Sequence, residues 1–285
     1  DPKKIMATSQ VFKPFKEWRE EKENKGKFTW TIALYATPAM AKEAGLSLKE
    51  YWEQIIKACF LDKINPVQEW KNIYEKIGEY KNKLNDLKID KLHIIGPDVD
   101  LKINMGEKRK WVGGSGRNVP SFELFTSPDW RGAEGWAKFN QPLYSYGNLV
   151  EGIELEFKDG KVTKAKAKKN EKVLLEMIKA NNADKLGEFS LTDKRFSRIT
   201  KFMGETLYDE NMGGPNGNFH IALGSSYHDA FDGDMAGKSK EHWQNLGFND
   251  SAIHTDLVST TPRTVTATLK DGSEKIIYKN GQFCL

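Results

Sequence analysis

The residues with the clearest capacity for chemistry are a histidine and an aspartate two positions apart, His254 and Asp256, in the segment AIHTDLVS at 252–259. The neighbouring residues are apolar or small, which favours a strand, and residues i and i+2 of a strand face the same side. An imidazole and a carboxylate would then project together from one surface. Because a buried charge needs an opposite charge or a metal ion, the segment predicts a cation site or an ion pair.

Four further segments place polar residues among strand-like neighbours. They are RNVPSFELFTSPDW with Glu123, KLGEFSL with Glu188, YDENMGGPNGNFHIALGSSY with Asp209, Glu210, His220 and Tyr227, and the acidic loop HDAFDGDMAG at 228–237. Each is weak alone, because an isolated glutamate on a strand usually faces solvent. The acidic loop lacks the spacing and the terminal glutamate of a calcium loop, and we interpret it as a solvated or substrate-side loop.

Taken together, these segments offer three carboxylates and two imidazoles, which is the ligand set that two adjacent divalent ions prefer. The set is Glu123, Glu188, His220, His254 and Asp256. Two such ions can activate a shared water and polarise a carbonyl group. Glycoside hydrolysis by the carboxylates without a metal is the alternative, and the two histidines disfavour it.

The elements that must position these residues fall into two parts. Before residue 90 the patterns predict a polar helix over 11–25, a buried strand over 28–37, two capped helices that begin after Thr37 and Ser47, and one long helix over 64–87. After it, alternating segments with Asp-Gly turns predict strands, with one helix near 170–181. We therefore predict an α+β fold. A partial α/β amino-terminal domain with a linking helix would occupy 1–89, and a larger, mainly antiparallel catalytic domain would occupy 90–285.

The composition disfavours several classes of protein. The net charge is +4, and basic residues are interspersed with acidic ones, so we expect no nucleic-acid-binding surface. No apolar run is long enough to span a membrane. Cys59 and Cys284 form no CxxC pattern, which favours a reducing compartment and hence the cytoplasm. The chain begins DPKK without a signal peptide, which indicates a processed product or a fragment.

The ordered series of segments resembles the thermophilic-type metallo-aminopeptidases, the family of aminopeptidase T, aminopeptidase S and PepS. The segments that carry the resemblance include FTWTIALYATPAMAKEAG, KLHIIGPDVDLKI, RNVPSFELFTSPD, LGEFSL, FHIALGSSY and IHTDLVS. The resemblance implies metal ligands at Glu123, Glu188, His220, His254 and Asp256. It also implies that Glu188 bridges the two ions and that Tyr227 stabilises the tetrahedral intermediate.

The same resemblance implies an enzyme that releases amino-terminal residues from peptides with a free amino terminus. It implies two divalent ions, zinc or cobalt with manganese or magnesium as alternatives, and a homodimer. The sequence departs from the family at Phe122, where a second glutamate is common, and at MGGPNGNF, which leaves a metal role of Glu210 open. Family members are longer, so we expect about the first quarter of their length to be absent. The alternative function is a non-catalytic metal-containing peptide-binding relative or an inactive fragment.

Overall fold

Helices dominate the first third of the chain and strands the rest in this computed structural model, which describes residues 2–145 and 147–285, without the side chains of residues 2–6 and 9. The helices are α1 Pro2–Asn24, α2 Pro38–Glu43, α3 Leu48–Ala58, α4 Pro66–Asp86, α5 Glu171–Ile178, α6 Thr206–Asp209 and α7 Lys240–Asn245. A 3-10 turn spans His228–Ala230. None of the helices in these described ranges combines the length and the apolarity needed to cross a bilayer.

The strands are short and mostly antiparallel. They are β1 Ile32–Ala33, β2 Ile89–Gly96, β3 Val99–Asn104, β4 Asn118–Val119, β5 Glu123–Thr126, β6 Asp129–Phe139, β7 Leu143–Ser145, β8 Asn148–Val150, β9 Ile153–Lys158, β10 Lys161–Lys166, β11 Leu186–Thr192, β12 Asn218–Gly224, β13 His254–Ser259, β14 Thr264–Leu269, β15 Glu274–Lys279 and β16 Gln282–Phe283.

The helix boundaries follow the capping residues of the sequence. Thr37 Oγ1 accepts a hydrogen bond from the Met40 backbone at 3.3 Å, and α2 begins at the next residue, a proline. Ser47 and Glu50 form the expected capping box at the start of α3. The long helix predicted over 64–87 is confirmed as α4, and the helix predicted near 170–181 is confirmed as α5.

The buried strand predicted over 28–37 is wrong. Only Ile32 and Ala33 are extended as a strand, and both are exposed. They pair with the two residues of β4, so the segment has no wider sheet to join. Its β-branched and aromatic residues favour a strand, but that preference depends on neighbouring strands that bury the side chains.

Two antiparallel sheets carry the fold. The larger has eight strands in the order β10-β9-β6-β3-β2-β14-β15-β16, and the smaller has four in the order β13-β12-β11-β5. Every residue of β11 and β12 is buried, so the smaller sheet lies inside the protein. The fold is α+β, as predicted. The boundary predicted at residue 89 falls where α4 gives way to β2, while one hydrophobic core includes residues from both sides of it; the division into domains stays a prediction.

Candidate metal centre

The five ligand candidates of the sequence lie on one face of the four-stranded sheet. In the strand register, Glu188 is opposite Ala222, and Ala222 is in turn opposite Asp256. Because directly paired residues and residues two apart share a face, His220 and His254 project to the same side. Ala222 is the small residue between two carboxylates, and it leaves the space above the middle strand open.

Glu123 completes this row from the neighbouring strand. It stands opposite Thr192 at the start of β5, on the same face as Glu188. Its Oε2 accepts a hydrogen bond of 2.8 Å from Ser190 Oγ. The structure therefore brings together residues that are up to 133 positions apart (Glu123 to Asp256), because four strands each contribute one or two side chains to a single face.

Glu188 lies between the two histidines. Its Oε1 is 3.2 Å from His220 Nε2, and its Oε2 is 3.5 Å from His254 Nε2. His220 Nε2 also lies 3.3 Å from Glu123 Oε2, and His254 Nε2 lies 3.2 Å from Asp256 Oδ1. One oxygen of Glu188 thus faces each imidazole, which is the arrangement that a carboxylate shared between two cations requires.

A sixth residue, Glu210, joins the group. Three sets of possible ligand atoms lie within 4.8 Å of one another in the described chain: Glu123 with Glu188 and His220, Glu188 with His254 and Asp256, and Glu210 with His220 and Asp256. The sequence did not decide whether Glu210 has a metal role, because residues 212–219 lie between it and His220. The position of Glu210 directly after α6, as the third residue of a YDEN segment, was the available signal.

Asp209, the neighbouring acidic residue, has a different place. Its Oδ1 accepts a hydrogen bond from the Met203 backbone at 2.7 Å, and its Oδ2 accepts one from the Glu205 backbone at 3.0 Å. Burial outweighs these bonds and raises the pKa of Asp209 to about 8. It shapes the turn before α6 and does not join the ligand sets.

The group has an excess of buried negative charge. Burial and the neighbouring Glu188 raise the pKa of Glu123 to about 7, against the lowering effect of His220. Burial, followed by the charges of Glu123, Asp256 and Glu188, raises the pKa of Glu210 well above its usual value. Four carboxylates face two imidazoles, so the site needs protons or cations to become neutral.

The pKa values of the two histidines are also raised, but the cause is the neighbouring carboxylates and not burial. Burial lowers the pKa of His220, but the hydrogen bond to Glu188 and the nearby carboxylate charges outweigh it and raise the pKa to about 9. The pKa of His254 is likewise raised to about 9 by Asp256 and Glu188, although burial opposes this. Burial also disfavours the ionised form of Asp256, but the charge of His254 prevails and lowers its pKa.

The tautomer of His254 fits a metal ligand. Its Nδ1 lies 2.8 Å from the Ser225 carbonyl oxygen, which can only accept, so Nδ1 carries the hydrogen. In the neutral ring, the lone pair of Nε2 then points at the oxygens of Glu188 and Asp256. The Nε2 lone pair and the oxygen lone pairs repel one another at that distance unless a proton or a cation lies between them. A backbone carbonyl that orients the ring through Nδ1, as Ser225 does here, is typical of metal-bound histidine.

Gly187 makes this contact sterically accessible. A Cβ atom at residue 187 would come within 2.4 Å of the Ser225 carbonyl oxygen. The glycine therefore lets the loop after β12 approach β11 closely enough for Ser225 to orient the His254 ring. This explains the LGE segment in physical terms, since the glycine provides space and the glutamate provides the carboxylate.

The group opens into a cavity of about 350 Å³, within the size range of small-molecule sites. Glu123, Glu188, Glu210, His254 and Asp256 line it. Residues of α1, of the glycine-rich loop at 113–117 and of the turn after β12 also line it. Residues 211–217, part of the segment that separates Glu210 from His220, do not line it.

Tyr227 lies on the cavity wall. Its ring centroid is 4.5 Å from that of His254 at an interplanar angle of 47°, and 6.0 Å from that of Phe125. Its backbone N–H donates to Ser127 Oγ at 2.8 Å. The side chain is 43% exposed, so the phenol is available to a molecule in the cavity.

The remaining histidines lie outside this face. His93 Nε2 is 2.8 Å from Asp100 Oδ1 on the larger sheet. His228 stacks on Trp243 with ring centroids 3.9 Å apart, and His242 packs beside Trp243 and Phe231. These contacts give the three side chains places in packing and ion pairing away from the ligand candidates.

Comparison with protein families agrees with this geometry. The family model of the thermophilic metalloproteases, peptidase family M29, matches residues 1–283. The chain belongs to the M29 family. The resemblance noted in the sequence is therefore confirmed, and M29 membership identifies this chain as a metalloprotease of the hydrolase class.

Several relatives of this M29 chain carry names. Aminopeptidase PepS of Streptococcus thermophilus is 30% identical over 98% of this chain and 70% of its own length. Aminopeptidase AmpS of Bacillus subtilis is 30% identical over 90% of this chain and 66% of its own length. Aminopeptidase T of Thermus aquaticus is also 30% identical, over 90% of this chain and 65% of its own length.

A solved structure supports the fold of the M29 chain directly. Wild-type AmpT from Thermus thermophilus matches with a TM-score of 0.78 at 27% identity, over 90% of this chain and 65% of that one. This chain thus spans about two thirds of the length of the relatives it matches.

Proposed function

We propose that this protein is a metal-dependent aminopeptidase that removes amino-terminal residues from peptides by means of water activated between two metal ions. The observation that carries the proposal is the place of Glu188, with one carboxylate oxygen toward each of two imidazoles at the edge of a peptide-sized cavity. The aminopeptidase names of the relatives support the same activity.

The roles follow from position on the sheet. One cation would be held by Glu123 and His220 and the other by His254 and Asp256, with Glu188 shared by both sites. Glu210 lies close to His220 and Asp256 and is a further ligand candidate. When bound, divalent ions supply a Lewis acid for the scissile carbonyl and lower the pKa of a bound water.

The remaining work falls to side chains of this protein. The Tyr227 hydroxyl donates a hydrogen bond to the oxygen that becomes negatively charged in the transition state. A carboxylate of the group accepts the proton of the attacking water and delivers it to the departing amine. The cavity admits a short chain end and excludes folded proteins.

Metal removal tests the proposal. We expect about two divalent ions per chain by elemental analysis, together with hydrolysis of leucyl-p-nitroanilide that chelation abolishes and returned metal restores. Zinc and cobalt are the ions we expect to restore it best, because imidazole and carboxylate ligands suit both. Bound metal without turnover would favour the alternative, a peptide-binding relative or an inactive fragment. The absence of both bound metal and turnover would contradict the proposal and its alternative.

Two finer points belong to the same proposal. We propose a homodimer, which sedimentation or light scattering measures directly, and a mass of one chain in solution would contradict it. We propose a cytoplasmic location, consistent with unpaired Cys59 and Cys284, the cysteines of the described chain. Fractionation of the source cells tests that location.

The metal-free protein should lose stability as the pH rises from about 4.5 to about 9. The folded-state pKa values of His220 and His254, about 9, lie above their ordinary 6.5, and that of Glu123, about 7, lies above 4.5. A raised folded pKa means that the folded protein holds its proton more tightly than the unfolded chain does. The stabilisation is therefore complete below the unfolded pKa and is lost as the pH passes the folded pKa.

Asp256 contributes with the opposite sign, because its folded pKa is lowered below 3.8. Its contribution is present above the unfolded value and disappears only in stronger acid, outside this window. The measurement is the Tm of chelator-treated protein at several pH values between 5 and 9. A Tm that climbs with pH across this range would contradict the charge balance described for the site.

A further inference from the structure

Asp229 is one of four acidic residues that line the cavity outside the cation-binding group, with Glu20, Glu23 and Glu205. Asp229 belongs to the 3-10 turn His228–Ala230, two residues after Tyr227, and it lines the cavity. Its Oδ2 is 3.4 Å from Arg117 Nη1. Its Oδ1 is shielded from solvent and has no hydrogen-bond partner among the described residues. A shielded carboxylate oxygen without a donor is costly, so a bound molecule that supplies the donor would relieve it.

Asn118 provides a second acceptor in the same cavity. Its side-chain Oδ1 is also shielded and lacks a donor in the described structure, and it lines the cavity together with Asp229. Two acceptors without donors favour a ligand that donates several hydrogen bonds. The negative charge of Asp229 favours a cation, and a primary ammonium group offers both three N–H donors and one positive charge.

We propose that Asp229, held in orientation by Arg117, binds the protonated amino group of the substrate. The inference rests on the proposed aminopeptidase function and adds the residue that recognises the amine. The proposed cations would engage the carboxylates of the sheet, whereas Asp229 lies in the turn after β12 and belongs to none of the three sets of possible ligand atoms. Such a contact fixes the substrate by the one group that distinguishes a chain end from the interior of a peptide.

The charge state of Asp229 suits this role. Burial and the nearby Glu188 raise its pKa, Arg117 lowers it, and the net value is about 6. The carboxylate is therefore ionised at neutral pH, where a primary amine is protonated. Arg117 also lies 5.8 Å from the Trp30 ring centroid, which limits the positions that its guanidinium can take.

The amine has two sources, the α-amino group of every substrate or the side chain of an amino-terminal lysine. Both share one chemistry, and leucyl- and lysyl-p-nitroanilide separate them. If Asp229 holds the α-amino group, Asp229→Asn lowers kcat/KM for both substrates by about 10- to 100-fold. If Asp229 holds the lysine side chain, Asp229→Asn lowers kcat/KM only for the lysyl substrate. Unchanged values for both substrates would overturn the inference.

Binding gives a readout independent of turnover. Calorimetric titration of L-leucinol into metal-loaded protein should show affinity about 10- to 100-fold weaker in Asp229→Asn than in wild type. Asp232→Asn is the matched control, because it removes the same charge from an exposed position of the same loop, and its affinity should equal that of wild type. For 4-methylpentan-1-ol, which lacks the amine, wild type and Asp229→Asn should not differ.

The two proposals fail in different ways. Equal leucinol affinity in wild type and Asp229→Asn, or no leucinol binding by wild type, overturns an α-amino site, and it overturns the amine site altogether when the lysyl substrate is also unaffected by Asp229→Asn. Leucinol binding that depends on Asp229 in a protein that cleaves neither substrate overturns the aminopeptidase and leaves the amine site standing. Metal content measured in each variant ensures that a weaker affinity does not come from metal loss.

Discussion

Glu188→Gln should lower kcat/KM for leucyl-p-nitroanilide by more than about 100-fold, the largest loss expected of any single substitution in this protein. The amide keeps the volume of the side chain but cannot carry the negative charge that two cations share. Because Glu188 faces both imidazoles, its loss affects both metal positions at once. Elemental analysis of the variant should show metal content below that of the wild type.

The fold should survive this substitution. Glutamine keeps the size of the side chain and an oxygen that can accept a hydrogen bond from His220, so the circular dichroism spectrum should match that of the wild type. The Tm after chelation should fall, because the two imidazoles lose a buried carboxylate partner. Glu156→Gln is the matched control, since Glu156 is half exposed on β9 and pairs with Lys164. Wild-type turnover by Glu188→Gln would refute its assignment as the shared ligand.

Tyr227→Phe should lower kcat by about 100-fold while KM and metal content stay near the wild-type values. The substitution removes one hydroxyl and leaves the ring that packs near His254 and Phe125. A donor that acts on the developing oxyanion stabilises the transition state more than the bound substrate. The loss should therefore appear in kcat.

The structure offers a control for this prediction as well. Tyr35→Phe removes the same hydroxyl from a side chain that is 76% exposed and does not line the cavity, and we expect unchanged kinetics. Full activity of Tyr227→Phe would show that the phenol has no part in the chemistry. A loss of bound metal would instead indicate that Tyr227 supports the cations.

Much of the candidate site can be predicted from sequence because strands alternate strictly. His254 and Asp256 are two apart, so a shared face follows once the segment is a strand. The residue types at Glu188 and His220 also indicate a functional role, because a carboxylate or imidazole side chain in an apolar strand needs a partner. What sequence cannot provide is the register that sets Glu188 and Asp256 on either side of Ala222, because pairing depends on distant strands.

Glu210 and the 28–37 segment show where local patterns stop being informative. Glu210 follows a short helix and reaches the sheet face only through the loop path after it, which no periodicity encodes. At 28–37 the residue types favour a strand, yet the surrounding structure offers β1 only the two residues of β4. In both cases the outcome depends on tertiary contacts with residues that are distant in the sequence, so the local sequence pattern does not contain it.

The cavity has two walls of different construction, and this difference bears on how the protein can evolve. The proposed cation ligands stand on a four-stranded sheet whose two central strands are buried along their whole length, where most substitutions disturb packing. The second wall is made of α1, a glycine-rich loop and a turn, and surface loops and turns tolerate change at small cost to stability. Substitutions in the second wall alone could therefore change which peptide ends bind. The sheet residues proposed for the chemical step would stay the same.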